Sequence, residues 1–421
     1  MSPHLFTSLI VAFVAAALAW RVWLGRRQAR HVARHRDEVP ADFAAFVPLD
    51  AHRKAADYTL DKQRLATFET LAIDGVVVLA LTIGGGIAAI DALSGRAFGS
   101  GYVRELATVF GVLLASTLAT LPFDLYRTFV VEHRHGFNRM TPALFVADLL
   151  KGLVLAALIG TPLLLAVFWL LERAGSLWWL YTWLAWIAFT LALVVAFPRW
   201  IAPLFNRFTP LEDGELRRRI ERLLARCGFT AAGLFVMDGS KRSSHGNAYF
   251  TGFGRTKRIV FFDTLIDRLS GDEIEAVLAH ELGHFARGHI PRLLAVRFAL
   301  ALVMLAVLGW LYREPGFREA LGLAEPHIGA LLAGFALVLP IFTFPFQPLA
   351  SLMARRQEFE ADAFAARHAS ASSLASALAK LYRDNAATLT PDPLHSLVYD
   401  SHPPAALRID HLKRDPETPS T

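Results

Sequence analysis

The sequence predicts a mainly α-helical, multi-pass membrane protein with about seven transmembrane helices and a polar domain that contains a small β-hairpin. Two observations support the membrane assignment. The 421 residues are 54% hydrophobic and 19% charged, with a mean hydropathy of +0.39, which is too apolar for an ordinary soluble chain. Several windows also hold the roughly 20 mostly apolar residues that an α-helix needs to cross about 30 Å of hydrocarbon.

Seven apolar windows are predicted to span the membrane. The first is "LFTSLIVAFVAAALAWRVWL" and the fifth is "LWWLYTWLAWIAFTLALVVAF". The fourth contains Asp148 and Lys151, and ionisable groups at such depth usually face protein or water rather than lipid. The predicted spans are residues 5–24, 71–93, 104–123, 143–171, 177–197, 292–312 and 328–350.

The first span is predicted to be an uncleaved anchor rather than a signal peptide, because its positive charges follow the apolar run instead of preceding it. Lys and Arg accumulate in short cytoplasmic loops, and the loops after spans one and three are richer in them than the loops after spans two and four. This asymmetry predicts an outside N-terminus and an inside C-terminus. The polar segments near 200–290 and 351–421 would then both face the cytoplasm.

The chain is expected to contain five consecutive parts. They are the first anchor with its basic loop (1–66), helices two to five (67–200), a first polar part (201–291), helices six and seven (292–350) and a second polar part (351–421). The single cysteine, Cys227, excludes an intrachain disulfide and fits a reducing compartment. The net charge of +6 is dispersed and no nucleic-acid-binding motif accompanies it, so nucleic acid is not an expected partner.

The stretch "VLAHELGHFARGH" (277–289) contains the pattern H-E-x-x-H. Upstream of it, Ser270 followed three residues later by Glu273 predicts a capping box that opens a helix. On that helix His280 and His284 would share one face, one turn apart, where two imidazoles can bind one metal ion. In zinc peptidases with this pattern the glutamate, here Glu281, is the general base. Three fixed letters also occur by chance, so the interpretation needs a third ligand.

His289 is an unsuitable third ligand. It lies five residues after His284, whereas the extended metzincin pattern requires six. We therefore expect His289 at a helix end or in contact with a ligand.

A better source of the third metal ligand is "RRQEFEADAFAARHA" (355–369), a polar helical stretch after the last span. Glu358 and Asp362 are four residues apart and share a helical face, so one could bind the metal while the other orients a ligand histidine. Glu360 points elsewhere on the helix, but spacing alone does not choose Glu358 over Glu360.

Two further stretches, outside the predicted motif helices, contain candidate site residues. "NAYFTGF" followed by "KRIVFFDTL" predicts a β-hairpin, and a free strand edge can pair with an extended peptide. From the residues alone, Asn247 is an ordinary turn residue. His402, which precedes two prolines in "SHPP", is an ordinary loop histidine.

Taken together, "HELGHFARGH" and "EFEADAFA" resemble the integral-membrane zinc metalloproteases of the CAAX prenyl protease 1 (Ste24) family, in peptidase family M48. The resemblance continues in the same order through four other blocks and covers residues 60–413. These blocks are "EHRHGFNRMTP" (132–142), "PRWIAPLFNRFTPL" (198–211), "GSKRSSHGNAYFTGFGRTKRIVFFDTL" (239–265) and "YDSHPPAALRI" (399–409).

The resemblance implies a residue-level site with one Zn²⁺ per chain and a bundle of helices that encloses a chamber. The polar parts become a zincin-like cytoplasmic catalytic domain, and "HGFN" belongs to the enclosure around its site. The implied roles are zinc ligation by His280, His284 and Glu358, general-base catalysis by Glu281, orientation of a ligand by Asp362, substrate binding by Asn247 and Ala248, and stabilisation of the substrate carbonyl or its oxyanion by His402.

The expected partners are membrane lipid and a peptide or protein substrate that could be prenylated. High Ala and Arg content and the short connection between the last two spans favour a bacterial inner membrane over the endoplasmic reticulum. Two alternatives stay open at this point. One is an HtpX-like quality-control protease, a group with fewer spans. The other is a transporter or channel with a structural metal, which would have four protein ligands and no need for Glu281.

Overall fold

The computed structural model describes residues 1–251, 258–323, 325 and 327–413, and long helices dominate it. Six helices in this part of the chain are long and apolar enough to cross a membrane, and the number rises to seven when one bent pair counts as a single span. The prediction of a mainly α-helical fold with about seven spans is confirmed.

The first half of the chain provides the first five spans. Its helices are α1 (Pro3–Arg34), α2 (Leu49–Thr70), α3 (Val78–Leu81), α4 (Gly86–Phe98), α5 (Tyr102–Tyr126), α6 (Pro142–Arg173) and α7 (Trp178–Ala196). The ionisable groups predicted in the fourth span face protein. Asp148 accepts a hydrogen bond from Arg242 Nε at 2.8 Å, and Lys151 donates to the carbonyl of Leu204 at 2.9 Å.

The second predicted span, residues 71–93, is not one straight helix. α2 continues through a π-helical segment (Leu71–Val77) into α3, and α4 then turns away by 53°. Gly85 lies in the break with a φ of 80°, a left-handed conformation that glycine adopts without steric penalty. The glycine run after Ile83 is the sequence signal for this bend.

A small mixed sheet follows the fifth span. Its elements are β1 (Phe208–Pro210), α8 (Glu215–Arg226), β2 (Gly233–Met237), β3 (Ala248–Thr251) and β4 (Arg258–Phe262). β3 and β4 are antiparallel, as the hairpin prediction requires, while β2 and β4 are parallel. The turn of the hairpin, residues 252–257, lies outside the described residues. The strand order is β1-β2-β4-β3, so β3 is an edge strand in the described sheet.

The remaining helices carry the metal-binding motifs and the last two spans. They are α9 (Asp263–Ile266), α10 (Gly271–Ala286), α11 (His289–Leu311), α12 (Pro315–Ala320), α13 (Ile328–Thr343), α14 (Gln347–His368), α15 (Ala371–Asp384), α16 (Pro393–Tyr399) and α17 (Ala405–Lys413). α10 opens with the predicted capping box between Ser270 and Glu273. α13 and α14 form one 41-residue helical stretch, so the last span runs directly into the polar motif.

One glycine allows the two motif helices to touch. A Cβ at Gly283, inside the H-E-x-x-H stretch, would lie 2.9 Å from the Cα of Ala361 on α14. Such a distance leaves no room for a side chain, so the backbones approach closely here. Around this contact, α10 and α14 share a buried apolar cluster with the sheet that includes Leu278, Leu282 and Phe261. Packing, rather than the metal motif itself, therefore sets the distance between the helices.

The "HGFN" loop between α5 and α6 ties the spans to the sheet domain. The Phe137 ring stacks on His245 with ring centroids 4.4 Å apart, and Asn138 forms a β-bridge with Ser243. Asp61 on α2 lies 3.0 Å from His135 Nε2. The loop thus positions the segment that leads into β3.

Candidate metal centre

Three side chains from α10 and α14 converge on one point. The Nε2 atoms of His280 and His284 are 3.3 Å apart. Glu358 brings Oε2 to 3.5 Å from His280 Nε2 and Oε1 to 3.4 Å from His284 Nε2. In the described part of the chain, these three residues form the one group whose ligand atoms could hold a metal ion, with all three atoms within 4.8 Å of one another.

The donor set fits a divalent metal. The Glu358 carboxylate is buried, and four side-chain nitrogens, from His280, His284, His402 and Arg408, lie within 3.5 Å of its oxygens. Two imidazole nitrogens and one carboxylate are a ligand combination typical of catalytic zinc.

Asp362 contacts the Nδ1 side of the His280 ring, opposite the Nε2 atom that faces Glu358. Its Oδ1 lies 2.8 Å from His280 Nδ1, and the Asp362 side chain is fully buried. With the Nδ1 proton donated to Asp362, the Nε2 lone pair points toward Glu358 and His284. Burial and the charge of Arg408 lower the pKa of His280, but the hydrogen bonds to Asp362 and Glu358 outweigh them and raise it to about 9. A metal must therefore displace a proton here, since a ligand imidazole is neutral.

His289 contacts the Nδ1 side of His284, and Glu360 in turn contacts His289. The Nδ1 atoms of His284 and His289 are 2.9 Å apart, and His289 Nε2 lies 3.1 Å from Glu360 Oε2. Glu360 is therefore engaged with His289, not with the Nε2 atoms that face Glu358. The expectation that His289 lies at a helix end is confirmed, because it is the first residue of α11.

Glu281 follows His280 directly on α10. Burial raises the pKa of its carboxyl, although the charges of His280 and His284 act in the opposite direction. A carboxyl with a raised pKa is a stronger base than an ordinary surface glutamate. The raised pKa therefore suits Glu281 to accept a proton beside the candidate metal ligands.

His402 reaches the same centre from the loop between α16 and α17. Its Nδ1 lies 2.7 Å from Glu358 Oε2, while 62% of its side chain is exposed. Arg355 on α14 holds the loop by donating to the carbonyl of Asp400 at 3.2 Å and to Ser396 Oγ at 2.8 Å. His402 is thus both fixed near the ligands and open to a bound molecule.

Asn247 and Ala248 lie at the start of the edge strand β3. The Asn247 carbonyl accepts a hydrogen bond from Phe262 N at 2.9 Å, and its side-chain Oδ1 accepts one from Ala248 N at 2.8 Å. β3 runs beside the motif helix, because the Phe250 and Phe285 ring centroids are 5.1 Å apart. The sequence-predicted site residues therefore come from α10, α14, β3 and one loop.

Arg408 on α17 is a site residue that the sequence reasoning did not single out. Its Nη2 donates to Asp362 Oδ1 at 2.6 Å and its Nε donates to Asp362 Oδ2 at 2.8 Å. Burial works against the charge of Arg408, but Asp362 and Glu358 keep its pKa above the usual range. The signal was present in "SHPPAALRI", where one arginine interrupts a short apolar helix.

Replacing Asp362 with Asn is expected to weaken metal binding by about 10- to 100-fold, as is usual when the partner of a ligand histidine is lost. The neutral amide also leaves Arg408 without its carboxylate, so the melting temperature in detergent should fall. Competition with a chromophoric chelator measures the affinity. Asp384→Asn is the matched control, since that carboxylate pairs with neighbouring Arg383 at 2.8 Å on the surface. Equal affinities in the two variants would refute the orienting role.

Family profiles, related sequences and a solved structure all match this chain over most of its length. Residues 28–207 match the profile of the CAAX prenyl protease N-terminal region with its five membrane helices, and residues 210–415 match peptidase family M48. A CAAX prenyl protease 1 homolog of Arabidopsis thaliana is 34% identical, covering 96% of both chains. The Homo sapiens homolog is 32% identical, covering 96% of this chain and 94% of that one. A crystal structure of S. mikatae Ste24p matches 97% of this chain and 98% of that chain, with 32% identity and a TM-score of 0.89.

Proposed function

The chain belongs to the CAAX prenyl protease 1 family of peptidase family M48, and we infer that it is a zinc-dependent endopeptidase acting on prenylated or other membrane-associated peptides. Family membership makes it a multi-pass membrane metalloprotease rather than a transporter with a structural metal. The zinc-dependent mechanism is supported by His280, His284 and Glu358, which each place one possible ligand atom within 4.8 Å of the other two. Three protein ligands leave one position for water or substrate, as catalytic zinc requires.

The proposed zinc is held by the Nε2 atoms of His280 and His284 and by the Glu358 carboxylate. When bound, it supplies a Lewis acid that polarises the scissile carbonyl and lowers the pKa of a water molecule. Asp362 and His289 hold the two imidazoles in the tautomer that presents Nε2 to the ion, because each contacts the Nδ1 atom on the opposite side of the ring.

Glu281 is the proposed general base. It takes a proton from the attacking water and gives a proton to the leaving amine, so one carboxyl serves both steps. Its burial supports this role, since the raised pKa strengthens the base. His402 is proposed to donate a hydrogen bond to the substrate carbonyl as negative charge develops on its oxygen. The exposed side chain of His402 beside Glu358 supports this assignment.

The edge strand β3 is proposed to hold the peptide substrate. An added strand would form hydrogen bonds with the free edge, with Asn247 and Ala248 at the end that follows Gly246. Asn385 holds the segment before β3, because its Oδ1 accepts a hydrogen bond from Gly246 N at 3.1 Å. β3 lies against α10, so an extended peptide on this edge would pass along the helix that carries His280 and His284.

The substrate and the compartment follow from the same reasoning. The relatives are named CAAX prenyl proteases, which supports a prenylated peptide or protein as the substrate. We propose that the catalytic domain is cytoplasmic, because the basic loops lie after spans one and three. We propose a bacterial inner membrane because of the high Ala and Arg content and the short connection between the last two spans. Membrane lipid is the other expected partner. HtpX-like quality control is the second candidate, since a bacterial member would not require a prenylated substrate.

The test uses the purified full-length protein in detergent, a farnesylated CAAX peptide and its unprenylated twin. We expect about one zinc per chain by elemental analysis, chelator-sensitive cleavage, and faster cleavage of the farnesylated peptide. Equal rates for the two peptides would favour the quality-control alternative. Zinc-loaded protein that cleaves neither peptide would contradict the proposed activity.

A further inference from the structure

A cleft of about 430 Å³ opens between α2 and the C-terminal end of α5. Much of its wall is apolar and aromatic, with Leu65, Phe68 and Phe123 among the lining residues. The guanidinium groups of Arg64 and Arg134 belong to the same lining. A cavity of this size, with apolar walls and a few polar groups, is typical of small-molecule sites. The α2–α5 cleft therefore has room for an amphiphilic ligand.

The cleft lies on the opposite face of α2 from the metal centre. Each residue of an α-helix advances by about 100° around the axis, so residues 61, 64, 65 and 68 share one face and line the cleft. A separate pocket contains His402 and is lined by residues from the other face of α2, namely Thr59, Lys62, Gln63 and Ala66. A ligand in the cleft is therefore distinct from a peptide at the proposed catalytic site.

The cleft also lies where the predicted second and third spans end. Its lining comes from residues 61–68 and 122–134, which flank those two apolar windows. The side chains of Phe68 and Tyr126 are 68% and 46% exposed, and aromatic rings are common at the membrane boundary. Arg134 directly precedes the "HGFN" loop, which contacts the sheet domain. The cleft is thus on the same side of the membrane as the metal centre.

Two arginines in the cleft share one carboxylate. Asp61 lies 2.9 Å from Arg134 Nη1 and 3.6 Å from Arg64 Nη1, and it also lies 3.0 Å from His135 Nε2. The side chains of Arg64 and Arg134 remain 75% and 54% exposed. One carboxylate neutralises only one of the two guanidinium groups. The cleft therefore keeps a positive charge beside its apolar wall.

We propose that the α2–α5 cleft binds the headgroup of an anionic phospholipid. Arg64 and Arg134 bind the phosphate, because a guanidinium group matches phosphate oxygens with paired hydrogen bonds. Phe68 and Phe123 pack against the first carbons of the acyl chains. Basic pockets between membrane helices are typical sites for anionic headgroups, whereas the cation of a zwitterionic lipid is repelled by the arginines. This site is separate from the proposed peptidase function and requires no catalysis.

The test measures the affinity of the full-length protein in neutral detergent for three probes. They are dioctanoyl phosphatidylglycerol, dioctanoyl phosphatidylcholine and glycerol 3-phosphate, each titrated and followed by native mass spectrometry. An arginine near the membrane surface strengthens binding of an anionic lipid by about fivefold. The wild type should therefore bind phosphatidylglycerol about tenfold more tightly than phosphatidylcholine. Glycerol 3-phosphate should bind at least about tenfold more weakly than phosphatidylglycerol, because it has no chains to bury against the aromatic wall.

Arg64→Gln should weaken phosphatidylglycerol binding by about fivefold, and the double variant with Arg134→Gln should bring the ratio between the two lipids close to one. Arg30→Gln is the matched control, since Arg30 is exposed near the end of α1 and does not line the cleft. That end of α1 is on the side of the metal domain, because Arg27 pairs with Asp392. The control should keep the lipid ratio within about twofold of the wild type, since salt screens distant exposed charges.

Equal affinity of the wild type for the two lipids overturns the proposal, as does an equal loss in Arg30→Gln and Arg64→Gln. Glycerol 3-phosphate binding as tightly as phosphatidylglycerol would indicate a free-phosphate site and would also overturn it. The ion pair of Arg64 with Asp61 is long and exposed, so Arg64→Gln should melt within a few degrees of the wild type. This single variant decides the question even if the double variant unfolds. No peptide is cleaved in the measurement, so its failure is distinct from failure of the peptidase proposal.

Discussion

Glu281→Gln is expected to retain its metal and to lose peptide hydrolysis by about 10³- to 10⁴-fold in kcat, near the upper end of what a positioned general base contributes. The amide has nearly the same shape as the carboxylate but cannot accept the proton of the attacking water. His280, His284 and Glu358 are untouched, so metal content should stay near the wild-type value. The measurements are kcat with the farnesylated peptide and elemental analysis of the same sample.

Glu275→Gln is the matched control for this variant. Glu275 lies on the same helix but forms ion pairs with Arg219 and Arg226 on the outer side of α10. Removing it changes the charge of the helix by the same amount, and kcat should remain within about twofold, because neither ion pair of Glu275 involves a proposed metal ligand. Full activity in metal-loaded Glu281→Gln would exclude Glu281 as the base.

Glu358→Gln is expected to lose metal binding by more than about 100-fold, whereas Glu360→Gln should lose no more than about tenfold. Glu358 is one of the three proposed ligands, and a neutral amide oxygen is a much weaker donor for zinc than a carboxylate. Glu360 acts only through His289, whose Nε2 it contacts at 3.1 Å. Dissociation constants from chelator competition separate the two variants, which lie two residues apart on α14.

Thermal unfolding in the presence of excess chelator is the control for that comparison. Without bound metal, both variants should unfold within a few degrees of the wild type, so a loss of affinity cannot be attributed to a general loss of folding. If Glu360→Gln lost the metal and Glu358→Gln kept it, the ligand assignment would have to be reversed.

Much of this protein can be predicted from short stretches of sequence. A run of 20 apolar residues predicts a membrane helix because the bilayer acts on each segment separately. The capping box at Ser270 depends only on residues three positions apart, and the structure contains it. The hairpin of β3 and β4 is also a local feature, whereas β1 and β2 were not predicted, because they are short and pair with residues distant in sequence.

The choice of third ligand illustrates what local signals leave open. Glu358 and Glu360 differ by about 200° around the helix axis, so either could face the histidines, depending on how α14 is rotated. That rotation is set by the contact of Gly283 with Ala361 and by the apolar cluster around it. His289, Glu360 and Arg408 entered the site for the same reason, since each is positioned by packing between helices.

The sequence by itself determined the membrane class, the number of spans, the helix that carries His280 and His284, and the family. Only the tertiary structure decided that Glu358, rather than Glu360, lies beside the Nε2 atoms of His280 and His284, that the second span bends after α3, and that Arg408 contacts Asp362. The physical reason is the range of the interactions. Hydrophobic runs, caps and helical spacing act between near neighbours in the chain, whereas a metal centre requires residues from α10, α14 and the loop before α17 to meet at distances set by close packing.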